Sequence, residues 1–399
     1  MAKRRRKRRR SGIGGCLIWL IVLLLIPAFL GRRFPEKSLP NPLERIRETT
    51  AFPELTVEIN EVEGSFYYRQ LNEEEQLVYR ELLQIVQQMQ EGVPVHGGEE
   101  TDIEKIYRFL MYDRPELFWC DGASTYVTYS DHTEFTPSYT CTEEERQARQ
   151  AQIDEAVSQC IAGLAADTSE YERIKYMFEY IVNTVEYDLG APDNQNIYSS
   201  LVGKRSVCAG YSRAAQYLLG KIGIESTYVT GEIAGGGLHA WNLVKCGENW
   251  YQMDVTFGDP VFLQTEEGQQ MPENNINYDY LCCTDAEIGR DHIPNDSVTY
   301  PACSSDDLNY YRLNGMYYET FDPYEILQAM NDSVYAGEPE FLCKFSDADV
   351  YSQASTQMIE ELIPQAAQNL AYAYGLGRVS YSYINDEEHC KMTVLWNYE

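Results

Sequence analysis

The sequence has no Cys-x-x-Cys pair and no cysteine/histidine array at zinc spacing, which argues against a structural metal. It has no glycine-rich phosphate loop, and no spacing suggests another cofactor. The stretch GYSRA lacks the glycine that a serine-hydrolase elbow needs two residues after its serine, so Ser212 reads as an ordinary helix residue. There is no internal repeat. Histidine is scarce, with five in 399 residues. Acidic residues are absent before Glu36, and basic ones are sparse after Arg33. Of 32 lysines and arginines, ten lie before Phe34, leaving 22 to face all 62 acidic residues. A body this acidic repels nucleic acid, so the basic start is not expected to be a DNA-binding arm.

What is present begins with that start. Residues 3–10 read KRRRKRRR, and Gly12 to Leu30 form an uncharged, largely apolar run. At helical rise this run spans roughly 28 Å, close to a bilayer's hydrocarbon thickness. The expectation is a basic cytoplasmic tail (1–11), a transmembrane helix (12–30) and a Pro-rich linker (31–53). That predicts a single-pass cell-membrane protein with its remaining residues extracytoplasmic. No small-x-small site follows the run, which disfavours a cleaved signal peptide.

The remainder is globular in composition, with 44% hydrophobic and 24% charged residues, and is long enough for two or three domains. Its 32 tyrosines suit both cores with wet edges and surfaces that grip polymers. Of eleven cysteines, setting aside Cys16 and Cys208 leaves nine, so complete internal pairing is impossible.

A helical and mixed region is expected over 54–140, starting with a helix capped by Asn72 and followed by another through Ile103, Ile106, Tyr107 and Leu110. Capping boxes at Thr142/Glu145 and Ser169/Glu172 predict helices near 143–166 and 170–186. A core region is drawn at 141–299. A C-terminal α+β module is drawn at 300–399, with tyrosine-rich strands at 308–320, a helix at 323–333, a strand at 340–345, a long helix at 347–374 and a closing hairpin.

The chemistry-bearing stretch is 206–260. Cys208 sits at the start of a predicted helix, where unpartnered N–H groups and the positive helix end favour a thiolate. His239 opens one predicted strand and Asp254 closes the next, across the tight turn Cys246-Gly247-Glu248-Asn249. If the strands pair and the helix packs on them, nucleophile, base and orienting carboxylate line up. His96, His132, His292 and His389 are assigned loop or packing roles, and Asp259 a turn.

The order Cys, His, Asp, with CAGYSRA, HAWN and DVTFGDP around the three, resembles the bacterial transglutaminase-like domain of the papain-like cysteine protease superfamily. NQNIYSSLVGKRSV (194–207) and LCCTDAEIGRDH (281–292) resemble it too. The resemblance implies an α+β, papain-like core in which a nucleophile helix packs on an antiparallel sheet. It implies Cys208 as nucleophile, His239 as general base and acid, and Asp254 as orienting residue. Gln195 is a candidate oxyanion donor, and Tyr211 and Trp241 are expected to shape the site. The implied activity is peptide or amide cleavage, or acyl transfer, through a thioester. The expected partner is a protein or peptide, with cell-wall peptide suggested by the extracytoplasmic placement; no metal or cofactor is expected. The alternative is an inactive scaffold that binds peptide or glycan.

Overall fold

The computed structural model describes residues 51–259, 276–295, 297–377 and 379–398. The chain first forms helix α1 (Glu73–Gln87), strand β1 (Val93–His96) and helix α2 (Ile103–Asp113), then the hairpin β2 (Cys120–Thr128) and β3 (His132–Tyr139). Asn72 caps α1 by accepting the Glu75 N–H at 3.0 Å, while the Glu75 carboxylate accepts from the Asn72 N–H. The small sheet runs β1-β3-β2. Strand β1 lies inside the Gly/Pro-rich stretch that reads as a break in the sequence. It is held by antiparallel pairing with β3, from Val93 opposite Phe135 to His96 opposite His132.

Next come α3 (Glu143–Ala162), α4 (Glu170–Thr184), β4 (Glu186–Tyr187), α5 (Ile197–Leu201), β5 (Arg205–Ser206) and α6 (Cys208–Lys221). Both predicted capping boxes form: Thr142 and Ser169 accept the N–H groups of Glu145 and Glu172. A four-stranded antiparallel sheet follows from β6 (Ser226–Ile233), β7 (Leu238–Cys246), β8 (Asn249–Met253) and β9 (His292–Pro294), in the order β8-β7-β6-β9. Between β8 and β9 lies α7 (Asp285–Ile288).

Alternation along β7 divides the sheet's two faces. Val244 joins a large core that runs from Val57 to Tyr311 and includes α1, α2, α4 and α6. Trp241 and Leu243 join a smaller cluster with Val229, Phe257, Tyr280 and Ile288. The early region is fixed to the sheet by the Tyr67 hydroxyl, which donates to the Tyr228 carbonyl at 2.6 Å.

The C-terminal part contains α8 (Tyr310–Leu313), β10 (Tyr317–Tyr318), α9 (Pro323–Ala336), β11 (Glu340–Phe345), α10 (Ala348–Gln357), α11 (Ile363–Tyr374), β12 (Ser380–Asp386) and β13 (Lys391–Asn397). Its sheet, β10-β11-β13-β12, has a core of its own built on Ile326, Met330, Phe345, Met358, Ile363 and Val394. Two expectations change here. The stretch 308–320 is a short helix and a two-residue strand, and the long helix is broken by a π turn at Met358–Leu362, just ahead of Pro364. Proline has no N–H to continue an i→i−4 ladder, so the backbone re-registers there.

The expected single-pass membrane protein does not stand on this structure. No helix among the described residues is long and apolar enough to cross a membrane. The segment assigned as a transmembrane helix, 12–30, lies outside the described residues, as do the basic tail and nearly all of the linker. The fold of the described residues is mixed α+β. The cell-membrane localisation, the membrane partner and the cell-wall peptide that rested on them are not carried further.

Candidate active site

Helix α6 starts at Cys208 itself. Val207, its N-cap, is extended and offers no side-chain acceptor, so the first-turn N–H groups receive no cap from it. Cys208 is half-buried. The helix is pinned to the sheet by polar side chains. The Ser212 hydroxyl lies 2.8 Å from the Ala240 carbonyl, and the Asn242 amide donates to the Ser212 carbonyl at 3.1 Å. The start of α6 also packs very closely on β5 and α5: a methyl at Gly210 would meet the Ser206 hydroxyl at 1.9 Å and the Ser200 hydroxyl at 2.9 Å.

His239 lies near the start of β7 and is buried. Its Nε2 donates to Asp254 Oδ2 at 2.5 Å, and the Cys208 sulfur stands close enough to its ring to raise its proton affinity. With Nε2 on the carboxylate, Nδ1 is the nitrogen left for sulfur. Asp254 follows β8 and is fully buried. Its Oδ1 accepts the backbone N–H groups of Thr256 (2.7 Å) and Phe257 (3.2 Å). The three residues expected to meet do so.

The electrostatics agree with the geometry. Burial works against a charged imidazole at His239, but the Asp254 carboxylate and the Cys208 sulfur together raise its pKa to about 10. Burial likewise works against the Asp254 carboxylate, and its two histidine neighbours hold it well below the usual carboxylate range.

The second histidine is His292, which sequence reasoning assigned to packing. Its Nε2 reaches the same Asp254 Oδ2 at 2.9 Å, and its Nδ1 reaches Asp291 Oδ1 at 2.5 Å. The local signal was the Asp-His pair closing LCCTDAEIGRDH; nothing local gave its partner, 38 residues away.

The other candidates fall in different places. Trp241 is fully buried, donates to Gln252 Oε1 at 2.8 Å and stacks on His239 at 6.1 Å between ring centres, 18° from parallel. Phe257 covers another side of His239, edge-on at 5.1 Å. Tyr211 is buried beneath the site, its hydroxyl donating to Asp259 at 2.9 Å and lying 2.7 Å from the Val185 carbonyl. Gln195 is exposed, in the turn before α5. The neighbouring Asn194 carbonyl accepts from the Val207 N–H (3.0 Å) and the Ser206 hydroxyl (2.7 Å), which lays this turn along the chain entering Cys208.

Two sets of side chains have metal-ligand atoms within reach of one another: His239, Asp254 and His292, and Asp279, Asp386 and His389. In the first, the atoms are engaged with each other through Asp254 Oδ2; in the second, Asp279 already receives the ammonium groups of Lys344 and Lys391. All ten cysteines of the described residues are free thiols. Burial pushes Cys160 and Cys246 up to about 11, so these are neutral, sluggish nucleophiles near neutral pH.

A cysteine at a helix start, beside a histidine paired to an aspartate, is an arrangement of the kind used for nucleophilic acyl transfer. Residues 158–255 match the transglutaminase-like superfamily, and the chain contains a transglutaminase-like domain in that segment. No curated protein matches the chain. Among solved structures it is similar to a TGase, at 17% identity over 38% of this chain and 47% of that one, with a TM-score of 0.27. It is also similar to a proposed cysteine protease from Cytophaga hutchinsonii (15% identity, 35% of this chain and 63% of that one, TM-score 0.25). A third is menin, whose structure reveals the binding site for the MLL protein (15% identity, 58% and 56%, TM-score 0.23). The matched part thus spans less than two thirds of each. The superfamily includes cysteine proteases and acyl transferases.

Proposed function

We propose that this chain is a thiol enzyme acting on amide bonds of a peptide or protein, with Cys208, His239 and Asp254 as its catalytic triad. The observation that carries the reading is the unbroken contact from the Cys208 thiol through His239 to Asp254 at the first turn of α6. In the first step the Cys208 sulfur attacks the amide carbon, and His239 passes a proton to the departing amine as the C–N bond breaks. That leaves a thioester on Cys208. Water or a second amine then attacks the thioester while His239 takes its proton, and the Cys208 sulfur departs. The Cys208 backbone N–H, with Gln195 as the second donor, would hold the oxyanion. Trp241 and Phe257 keep His239 in a dry, fixed orientation.

The test is the rate of iodoacetamide labelling of the purified chain near pH 6, with each labelled cysteine located by mass spectrometry. Cys208 is expected to outpace every other described cysteine by at least about tenfold, because the raised His239 imidazole stands beside its sulfur. That advantage should vanish in His239→Ala. Equal Cys208 rates in the two proteins would end the enzyme reading in favour of a binding scaffold. Given an activated Cys208, a peptide library with and without an added primary amine separates hydrolysis from acyl transfer.

A further inference from the structure

We propose that His292 is a positioning residue of this site: a doubly protonated imidazole, clamped between Asp291 and Asp254, that locks the Asp254 carboxylate in the plane His239 requires. The inference rests on the thiol-enzyme reading above and adds a fourth and fifth member to it.

A neutral imidazole has one N–H, so it can satisfy one acceptor and must itself accept at the other nitrogen. His292 has a carboxylate oxygen at each ring nitrogen, Asp291 Oδ1 at 2.5 Å and Asp254 Oδ2 at 2.9 Å. Neither carboxylate can donate while ionised. Two hydrogen bonds therefore require two ring protons and a positive charge. A proton on Asp254 instead conflicts with the other donors converging there, His239 on Oδ2 and two backbone N–H groups on Oδ1. A proton on Asp291 would leave His292 a neutral tautomer, the state that NMR of its ring nitrogens distinguishes. Burial opposes a cation at His292, but the hydrogen bonds to Asp254 and Asp291 outweigh it and raise its proton affinity.

Each end of the clamp is itself held. Asp291 receives the Tyr280 hydroxyl on its other oxygen, and its backbone carbonyl accepts the Ala234 N–H at 2.7 Å. His292 opens β9 in register with Ile233 of β6. Around its ring stand Trp241 (5.0 Å), Phe257 (4.7 Å), His239 (5.2 Å) and Tyr280 (5.7 Å), and its side chain is fully buried. The charged and titratable groups facing it are Asp254, His239, Asp291 and, through the Tyr280 hydroxyl, His389 at 3.3 Å from that oxygen with Asp386 behind it.

A core histidine kept only for packing needs one partner. His292 instead places a proton on the very oxygen that orients His239. A carboxylate is free to rotate about its terminal torsion unless donors fix its plane. Asp254 has two donors on each oxygen, and of these four His292 lies farthest from it along the chain. A buried ion triplet of this kind is costly to desolvate, which fits a group retained for geometry rather than stability.

The test compares wild type, His292→Leu, His292→Gln and His239→Ala in the full chain, using the pH profile of Cys208 labelling alongside thermal unfolding. A folded His292→Leu should label Cys208 at least about tenfold more slowly near pH 6, whereas His292→Gln, whose amide can still donate to Asp254, should recover most of the rate. Wild-type labelling in folded His292→Leu overturns the proposal and leaves the triad standing. If His239→Ala labels Cys208 like wild type, the enzyme reading fails and the positioning role falls with it. Should His292→Leu not fold, the ring nitrogens of wild-type His292 decide the matter by NMR, assigned with His292→Gln. Two N–H signals near pH 7 support the clamp; a neutral tautomer overturns it.

Discussion

Gly231 stands directly opposite His239 in the antiparallel pair of β6 and β7, and it has no room for a side chain. A methyl there would meet the Ile293 carbonyl at 2.1 Å and the Trp241 ring at 2.7 Å. The first contact is backbone, so the neighbour that must move is β9, with His292 at its start. Gly231→Ala is expected to lower stability by ~1–3 kcal/mol, as overpacking does. It should also slow Cys208 labelling. Thermal melts and labelling rates measured together check both; an unchanged labelling rate would show that β9 can shift without disturbing the site.

A second close approach sets the position of Cys208. Gly210 lies in the first turn of α6 against Ser206 of β5 and Ser200 of α5, so Gly210→Ala must push the helix start away from them. A cost of ~1–3 kcal/mol in urea unfolding is expected, together with displacement of Cys208. Equal stability and equal labelling in the variant would contradict this packing argument.

The His239–Asp254 pair predicts how stability varies with pH. His239 is raised, to about 10, so its contribution is fully present below its unfolded value of about 6.5. That contribution is lost as pH rises through the folded value. Asp254 is lowered, so its contribution is present above its unfolded value of about 3.9 and lost as pH falls. Urea midpoints should therefore decline from neutral pH toward 10 and again under acid. His239→Gln should remove the alkaline decline; an identical alkaline slope would assign it to other groups.

Beyond the site, Asp279 receives the ammonium groups of both Lys344 on β11 and Lys391 on β13, with the aspartate buried. This is where the C-terminal sheet meets the segment after β8. Asp279→Ala strands the buried Lys344 and leaves Lys391 only Asn277 (3.3 Å) and Asp386 (3.6 Å), and is expected to cost ~3–5 kcal/mol, the range for breaking a buried pair. Denaturant unfolding reads this directly. A loss below ~1 kcal/mol would mean that water reaches both lysines.

Some of this was legible locally. Asn72, Thr142 and Ser169 announce helix starts because capping depends on residues three apart. The meeting of His239 with Asp254 could be anticipated because only one turn separates their strands. Strand β1 was hidden for the opposite reason: Val93–His96 is a strand only through pairing with β3, some forty residues on. Tyrosine-rich 308–320 has strand-like composition, yet Asn309 caps a short helix there by accepting the N–H groups of Tyr311 and Arg312.

The sequence by itself picked out Cys208, His239 and Asp254, since each lies in a short motif whose order and spacing are local properties. Only the tertiary structure decided that Asp254 serves two histidines, that Tyr211 is tied to Asp259 rather than open to a ligand, and that Gly231 leaves space for β9. Those relations join residues far apart in the chain, and hydrogen bonds and close packing depend on ångström-scale positions that no local pattern of residue types contains.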